Sequence, residues 1–186
     1  MYRPAAPHAG GTLLEMVIVI AVLAIVMTIA RPRAEAISPA VAEAAASEVA
    51  SAMRFARHEA MRTRAYHAVS FDTQQHSLRI YRLTTLLLAV EDTSQPVMYP
   101  VDKRAYRIAF GDNPNARVTI MGASFRYKDG ATRKYACFGP DGRPADVHGL
   151  LLKDAEPLEQ DGQVTIKHGN LERTVRLDFV TGRVSL

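Results

Sequence analysis

Any catalysis or metal binding in this 186-residue chain would fall to six histidines, one cysteine and two stretches rich in oxygen donors. His8, His58, His67, His76, His148 and His168 are scattered, and no two stand at the spacing of a metal-ligand pair. Each reads as an exposed or hydrogen-bonded residue. Cys137 is the single cysteine, so an intrachain disulfide is ruled out. It stands between Ala136 and Phe138 in an apolar segment, which reads as packing and not as a nucleophile. Gly111-Asp112-Asn113-Pro114-Asn115 and the segment 141–146 offer carboxylates and amides, yet neither matches a calcium loop. An enzyme should gather reactive groups at one place, and the sequence gathers none. The expectation is a protein without cofactor or metal that is not an enzyme.

The charge that asks for an explanation is Glu15. It interrupts an apolar run after Gly10-Gly11-Thr12-Leu13-Leu14, and from Met16 to Ala30 only Thr28 is polar. A carboxylate in such a run is costly in lipid and marks a functional position by default. The run approaches the roughly 20 residues that span a bilayer. It ends at Arg31-Pro32-Arg33, and residues 1–10 before it read as a short leader carrying one basic residue, Arg3. Three readings compete on the residues. A secretory signal peptide would be cut after Ala34-Glu35-Ala36. A signal anchor would stay uncut. A cut ahead of the apolar run would keep the helix in the mature protein. The net charge of +4 fits mild attraction to anionic surfaces and does not by itself predict nucleic-acid binding.

The elements that must carry these residues divide the chain at about residue 64. From Ile37 to Arg64 the pattern is helical, with Ser38 as cap and Pro39 in the first turn. Val41, Ala45, Val49, Met53 and Ala56, with Ala52 and Ala60, line one face. Acidic residues come early and Arg54, Arg57, Arg62 and Arg64 late, complementing the helix dipole. A single bent helix from Leu13 to Arg64 would be about 78 Å long at 1.5 Å per residue. Beyond Arg64 the period falls to two. Strands are expected at 66–71, 78–83, 106–110, 117–121, 124–128, 132–138, 163–167, 171–180 and 183–186, with turns at Asp129-Gly130, Asp141-Gly142, Gly169-Asn170 and Thr181-Gly182. Segments 86–102 and 143–162 read as loops. The fold class is α+β: a long N-terminal helix, transmembrane in its first half, packed against antiparallel β-sheets.

Gly10-Gly11-Thr12-Leu13-Leu14-Glu15-Met16 resembles the processing site of type IV prepilins and type II secretion pseudopilins. The resemblance implies a cut after Gly10 by a prepilin peptidase, methylation of Gly11, and a role for Glu15 in assembly through the amine of a neighbouring subunit. Gly11 stands where that family prefers a bulky apolar residue. Pro32 falls where family members commonly carry a helix-bending proline. Three patches of the later chain narrow the resemblance to the GspH/FimT family of minor pseudopilins and minor pilins: Met53–Arg62, Phe138-Gly139-Pro140-Asp141-Gly142-Arg143 and Val175–Arg183. This pilin-like reading divides the chain into a leader (1–10), a transmembrane helix (11–31), its amphipathic continuation (32–64) and a β domain (65–186). The implied place is the inner membrane, single-pass, with the β domain in the periplasm. The implied work is assembly near the tip of a type II secretion pseudopilus, or alternatively in a type IV pilus linked to DNA uptake. A secreted binding domain or enzyme released after Ala36 is the rival outside the family.

One surface offers cations to an anionic partner. With a two-residue turn at Asp129-Gly130, Arg126 would face Arg133, with Lys128 on the same side, a repulsion that an anion would relieve. The plain alternative is a solvated face with the arginines splayed apart. Some FimT-like pilins bind DNA through basic residues near the C-terminal end. Here only Thr181-Gly182-Arg183 partly resembles that region, and Val184-Ser185-Leu186 adds no positive charge, so nucleic acid is the lesser partner.

Overall fold

The computed structural model describes residues 13–29, 34–84, 90–110, 118–147 and 155–186. The chain forms two compact units, residues 1–34 and 35–186. The first holds helix α1, Leu13–Ile29, which is apolar apart from Glu15 in its first turn and Thr28. Valine and isoleucine dominate it. These β-branched residues are indifferent helix formers in water, but a helix closes all backbone hydrogen bonds within itself, which is what an apolar medium requires. Every side chain from Leu13 to Ile25 is exposed. At 17 residues α1 rises about 26 Å, against roughly 30 Å of bilayer hydrocarbon. Among the described residues no helix is long and apolar enough to cross a membrane. The expected span 11–31 is therefore described only in its central part.

The second unit begins with α2, Ala34–Thr63. It starts earlier than the Ser38 cap predicts, so Pro39 lies inside it. Proline there gives up one bond to a preceding carbonyl, and the flanking alanines, the best helix formers, carry the helix past the gap. The buried face is the expected one, with Ala45, Val49, Ala52, Met53, Ala56 and Ala60 inside, widened by Ala42, Ala46 and Ala50. Alanine on so broad a stripe lets the helix backbone lie close to its neighbours at little cost in side-chain entropy.

Twelve strands follow among the described residues, all antiparallel in their pairings. They are β1 (His67–Asp72), β2 (Ser77–Thr84), β3 (Val90–Glu91), β4 (Arg107–Ala109), β5 (Val118–Arg126), β6 (Thr132–Arg133), β7 (Tyr135–Phe138), β8 (Ala145–Val147), β9 (Ala155–Pro157), β10 (Gly162–His168), β11 (Leu171–Leu177) and β12 (Val184–Ser185). One sheet runs β3-β2-β1-β7, with β4 also on β2; a second runs β12-β11-β10-β5-β6; β8 and β9 form a hairpin. Val69, Phe71, Leu78, Ile80, Ala136 and Phe138 from the first sheet share one core with α2 and with Ile120, Phe125, Val164, Ile166 and Leu177 of the second. Phe71 and Phe125 stack at 5.9 Å between the sheets. The opposite face of the first sheet buries Ala68, Leu83 and Cys137 under Tyr66, Tyr81 and Tyr135.

Four expectations change. The predicted strands 117–121 and 124–128 are one strand, β5. Against β10 its register runs Thr165↔Gly122 and then Ile166↔Ile120, leaving Met121 as the bulged residue. The extra residue breaks the alternation, so a period-two reading sees two strands where there is one bent strand. The predicted strand 132–138 is interrupted at Lys134, and the strand expected to reach Val180 ends at Leu177, where Asp178 begins a turn. The segments read as loops contain β3, β8 and β9, each too short to show a period.

Candidate functional site

Glu15 is exposed in the first turn of α1, surrounded by exposed leucine, methionine and valine side chains. Gly10, Gly11 and Pro32 lie outside the described residues, as do Gly111–Asn115 and the arginines that flank Pro32.

The cationic pair expected on the β5–β6 hairpin is corrected by the register. The pairing is Arg126↔Thr132 and Phe125↔Arg133, one residue away from the expected match. Tyr127 N–H donates to the Ala131 carbonyl at 3.0 Å and Gly130 has a φ of 82°. The loop is thus three residues, 128–130, ending on a left-handed glycine, and not a two-residue turn. A shift of one residue moves a side chain to the other face. Arg126 pairs with Glu159 at 2.5 Å. Arg133 turns inward, pairs with Asp129 at 2.6 Å and Asp146 at 2.8 Å, and lies over the Tyr127 ring. The repulsion that called for an anion is absent, because each guanidinium has its own carboxylate. Lys128 and Arg183 are exposed.

That correction exposes a buried network. Asp146, 1% exposed, accepts from the Tyr135 hydroxyl at 3.0 and 3.1 Å as well as from Arg133. The Tyr127 hydroxyl accepts the Cys137 N–H at 3.1 Å and donates to the Tyr135 carbonyl at 3.3 Å. Burial pushes the Tyr127 and Tyr135 hydroxyls and the Cys137 thiol well above their ordinary ranges, with the Asp146 charge adding to each. All three stay neutral, so Cys137 is a packed thiol. Asp129 and Asp146 hold Arg133 more firmly protonated still. Among the described residues no group of three or more histidine, cysteine or acidic side chains could hold a metal ion.

The three patches that resemble the GspH/FimT family meet at one place. From the helix end, Arg57 Nε donates to the Gly142 carbonyl at 2.9 Å, and Arg54 Nη2 to the Val184 carbonyl at 3.1 Å. A Cβ on Gly142 would come within 2.7 Å of Met61 Sδ, and one on Gly182 within 2.6 Å of the Gly142 oxygen. Both glycines have positive φ, 75° and 67°. Only glycine satisfies the backbone angle and the close approach together. The Asp178 carboxylate accepts from the Val180 and Thr181 N–H groups and the Thr181 hydroxyl, and these bonds hold it below its ordinary range. The turns 139–143 and 178–182 are thereby locked to each other and to α2. Beside them lies a groove of about 530 Å³, walled by Pro140, Pro144, Pro157, Phe179 and Val180, with Lys128 and Arg143 on its lining.

Sequence reading missed two things here: the tie made by Arg57 and the buried charge of Asp146. Asp141-Gly142 and Thr181-Gly182 announce turns, but nothing in their spacing says that one turn packs on the other.

No family model and no curated protein matches the chain. Among solved structures it is similar to the type IV minor pilin FimU of Pseudomonas aeruginosa, with a TM-score of 0.44 at 16% identity over 81% of this chain and 90% of that one. It is also similar to the minor pseudopilin EpsH from the type 2 secretion system of Vibrio cholerae, with a TM-score of 0.48 at 12% identity over 78% and 94% of the two chains. Both are minor pilin-type subunits.

Proposed function

We propose that this chain is a minor pilin-type subunit, held in the inner membrane by its N-terminal apolar helix, that assembles through that helix into the tip region of a type II secretion pseudopilus. In this reading the β domain lies in the periplasm, and the partners are a prepilin peptidase and other pilin-like subunits. The observation that carries it is Glu15, a lone carboxylate in the first turn of an apolar helix, four residues after Gly11 in the Gly10-Gly11-Thr12-Leu13-Leu14-Glu15 motif. In an apolar surrounding a carboxylate needs a counter-charge. A freed amine at Gly11 on a neighbouring copy of the helix would supply one, and the pairing would fix the axial register between subunits. Pro32 would bend the chain where it leaves the lipid. Of the four basic residues considered for an anionic partner, the ion pairs of Arg126 and Arg133 leave Lys128 and Arg183 to the DNA-uptake alternative.

The mass of the mature N-terminus is the test. Cleavage after Gly10 with a methylated Gly11 is expected, whereas a mature chain beginning at Ile37 sinks the reading. Co-purification with secretion components or with pilus components separates the two machines. Replacing the carboxylate tests the register role: Glu15→Ala should insert in the membrane as the parent does and enter filaments less. Equal incorporation of the two would remove Glu15 from the mechanism.

A further inference from the structure

The groove beside the locked turns has features that the fold itself does not use. The closing turn is built by Asp178, Thr181 and Gly182, whose hydrogen bonds account for its geometry. Phe179 and Val180 add nothing to those bonds through their side chains. They are 41% and 51% exposed, side by side on a backbone pinned further by Phe179 N–H donating to Asp161 at 3.1 Å. A phenylalanine and a valine held out on a rigid turn are an exposed apolar pair of the kind that marks contact surfaces. The pinning is what a contact surface needs, because little ordering entropy remains to be lost on binding.

The electrical character of the groove selects the partner. Among the described lining residues Lys128 and Arg143 are cationic and Asp141 is anionic. Arg143 lies 3.8 Å from Asp141, with both side chains largely in solvent, a weak pair. The described lining therefore carries a net positive charge over apolar walls that include Pro140 and Pro144. Its volume is that of an ordinary ligand cleft. Proline and phenylalanine walls suit apolar side chains, and Lys128 with the weakly paired Arg143 suits carboxylates.

We propose that this groove is a docking site for a short acidic and apolar segment of another protein, one that seats an apolar side chain against Phe179 and Val180 and sets carboxylates against Lys128 and Arg143. The site is separate from the assembly reading of Glu15, which lies in the other unit of the chain, so either can fail without the other. It also gives a use to the convergence of Arg57, Gly142 and Gly182, which holds the walls of the groove in place.

The test uses the full chain in detergent micelles and two fluorescent peptides, one alternating leucine with glutamate and one alternating leucine with lysine. The expected result is saturable anisotropy with the glutamate peptide, absent with the lysine peptide, and weakened by added salt. Lys128→Glu combined with Arg143→Glu should weaken binding about tenfold or more. Phe179→Ser should abolish it with the melting temperature unchanged. Three outcomes overturn the proposal. Equal binding of both peptides, or of neither, removes the charge selection. A large fall in melting temperature in Phe179→Ser means that the chain itself covers these side chains. Self-association of the full chain in sedimentation that Phe179→Ser removes makes the occupant a second copy.

Discussion

Among single residues, Asp146 and His67 show how burial sets chemical character. Asp146 is a fully buried anion that would be costly alone, and Arg133 with the Tyr135 hydroxyl compensates it. His67 is 2% exposed in β1, and its Nδ1 donates to the Ala65 carbonyl at 3.0 Å. Desolvation lowers its pKa from the ordinary 6.5, outweighing that hydrogen bond and the nearby Glu59, while Arg82 and Arg62 push the same way as burial. A histidine that folds neutral binds fewer protons than the unfolded chain just below 6.5, so its contribution is full above that pH and lost as pH falls through the folded value. The melting temperature of the parent should therefore drop as pH goes below about 6.5, and the drop should be shallower in His67→Gln. Identical pH profiles for the two would show that another group titrates. The residue scale is also where the sequence was easiest to misread, since Arg126 and Arg133 are each neutralised by a carboxylate distant or hidden in the linear chain.

At the scale of elements, close approaches rather than charges decide the architecture. The alanine stripe of α2 was legible because helical period and residue size both appear in the string. The bulge at Met121 was not, since an inserted residue leaves composition unchanged and only shifts the phase. Gly162 at the start of β10 is a third case. A Cβ there would stand 2.3 Å from Phe125 Cδ1, inside the stack that Phe125 makes with Phe71. Gly162→Ala should force that ring aside and cost about 1–3 kcal/mol, read as a lower denaturation midpoint with an unchanged slope. A neutral substitution would mean that the two sheets can part slightly without loss.

For the whole molecule, the division into residues 1–34 and 35–186 separates two kinds of physics. Among the described residues, the core of the larger unit comes from α2 and both sheets. A chain that begins at Glu35 should therefore unfold cooperatively at the melting temperature of the full chain. A broad, non-cooperative transition would show that the core needs the N-terminal segment. The smaller unit buries none of its described side chains from Leu13 to Ile25. The assembly reading and the groove fall on different units for that reason.

What the sequence determined by itself was whatever depends on near neighbours. Apolar runs, the helical period of 41–60, most strands and the four turns all follow from spacings of a few residues. The same locality made Glu15 conspicuous, because its anomaly is the character of the residues beside it. What only the tertiary structure decided was which distant residues meet. Arg57 finds the Gly142 carbonyl 85 positions on, Glu159 finds Arg126, and Gly182 comes to rest on Gly142. Such contacts are selected by the global packing of sheets and helix, where a one-residue shift in register changes every partner. No local spacing encodes that choice.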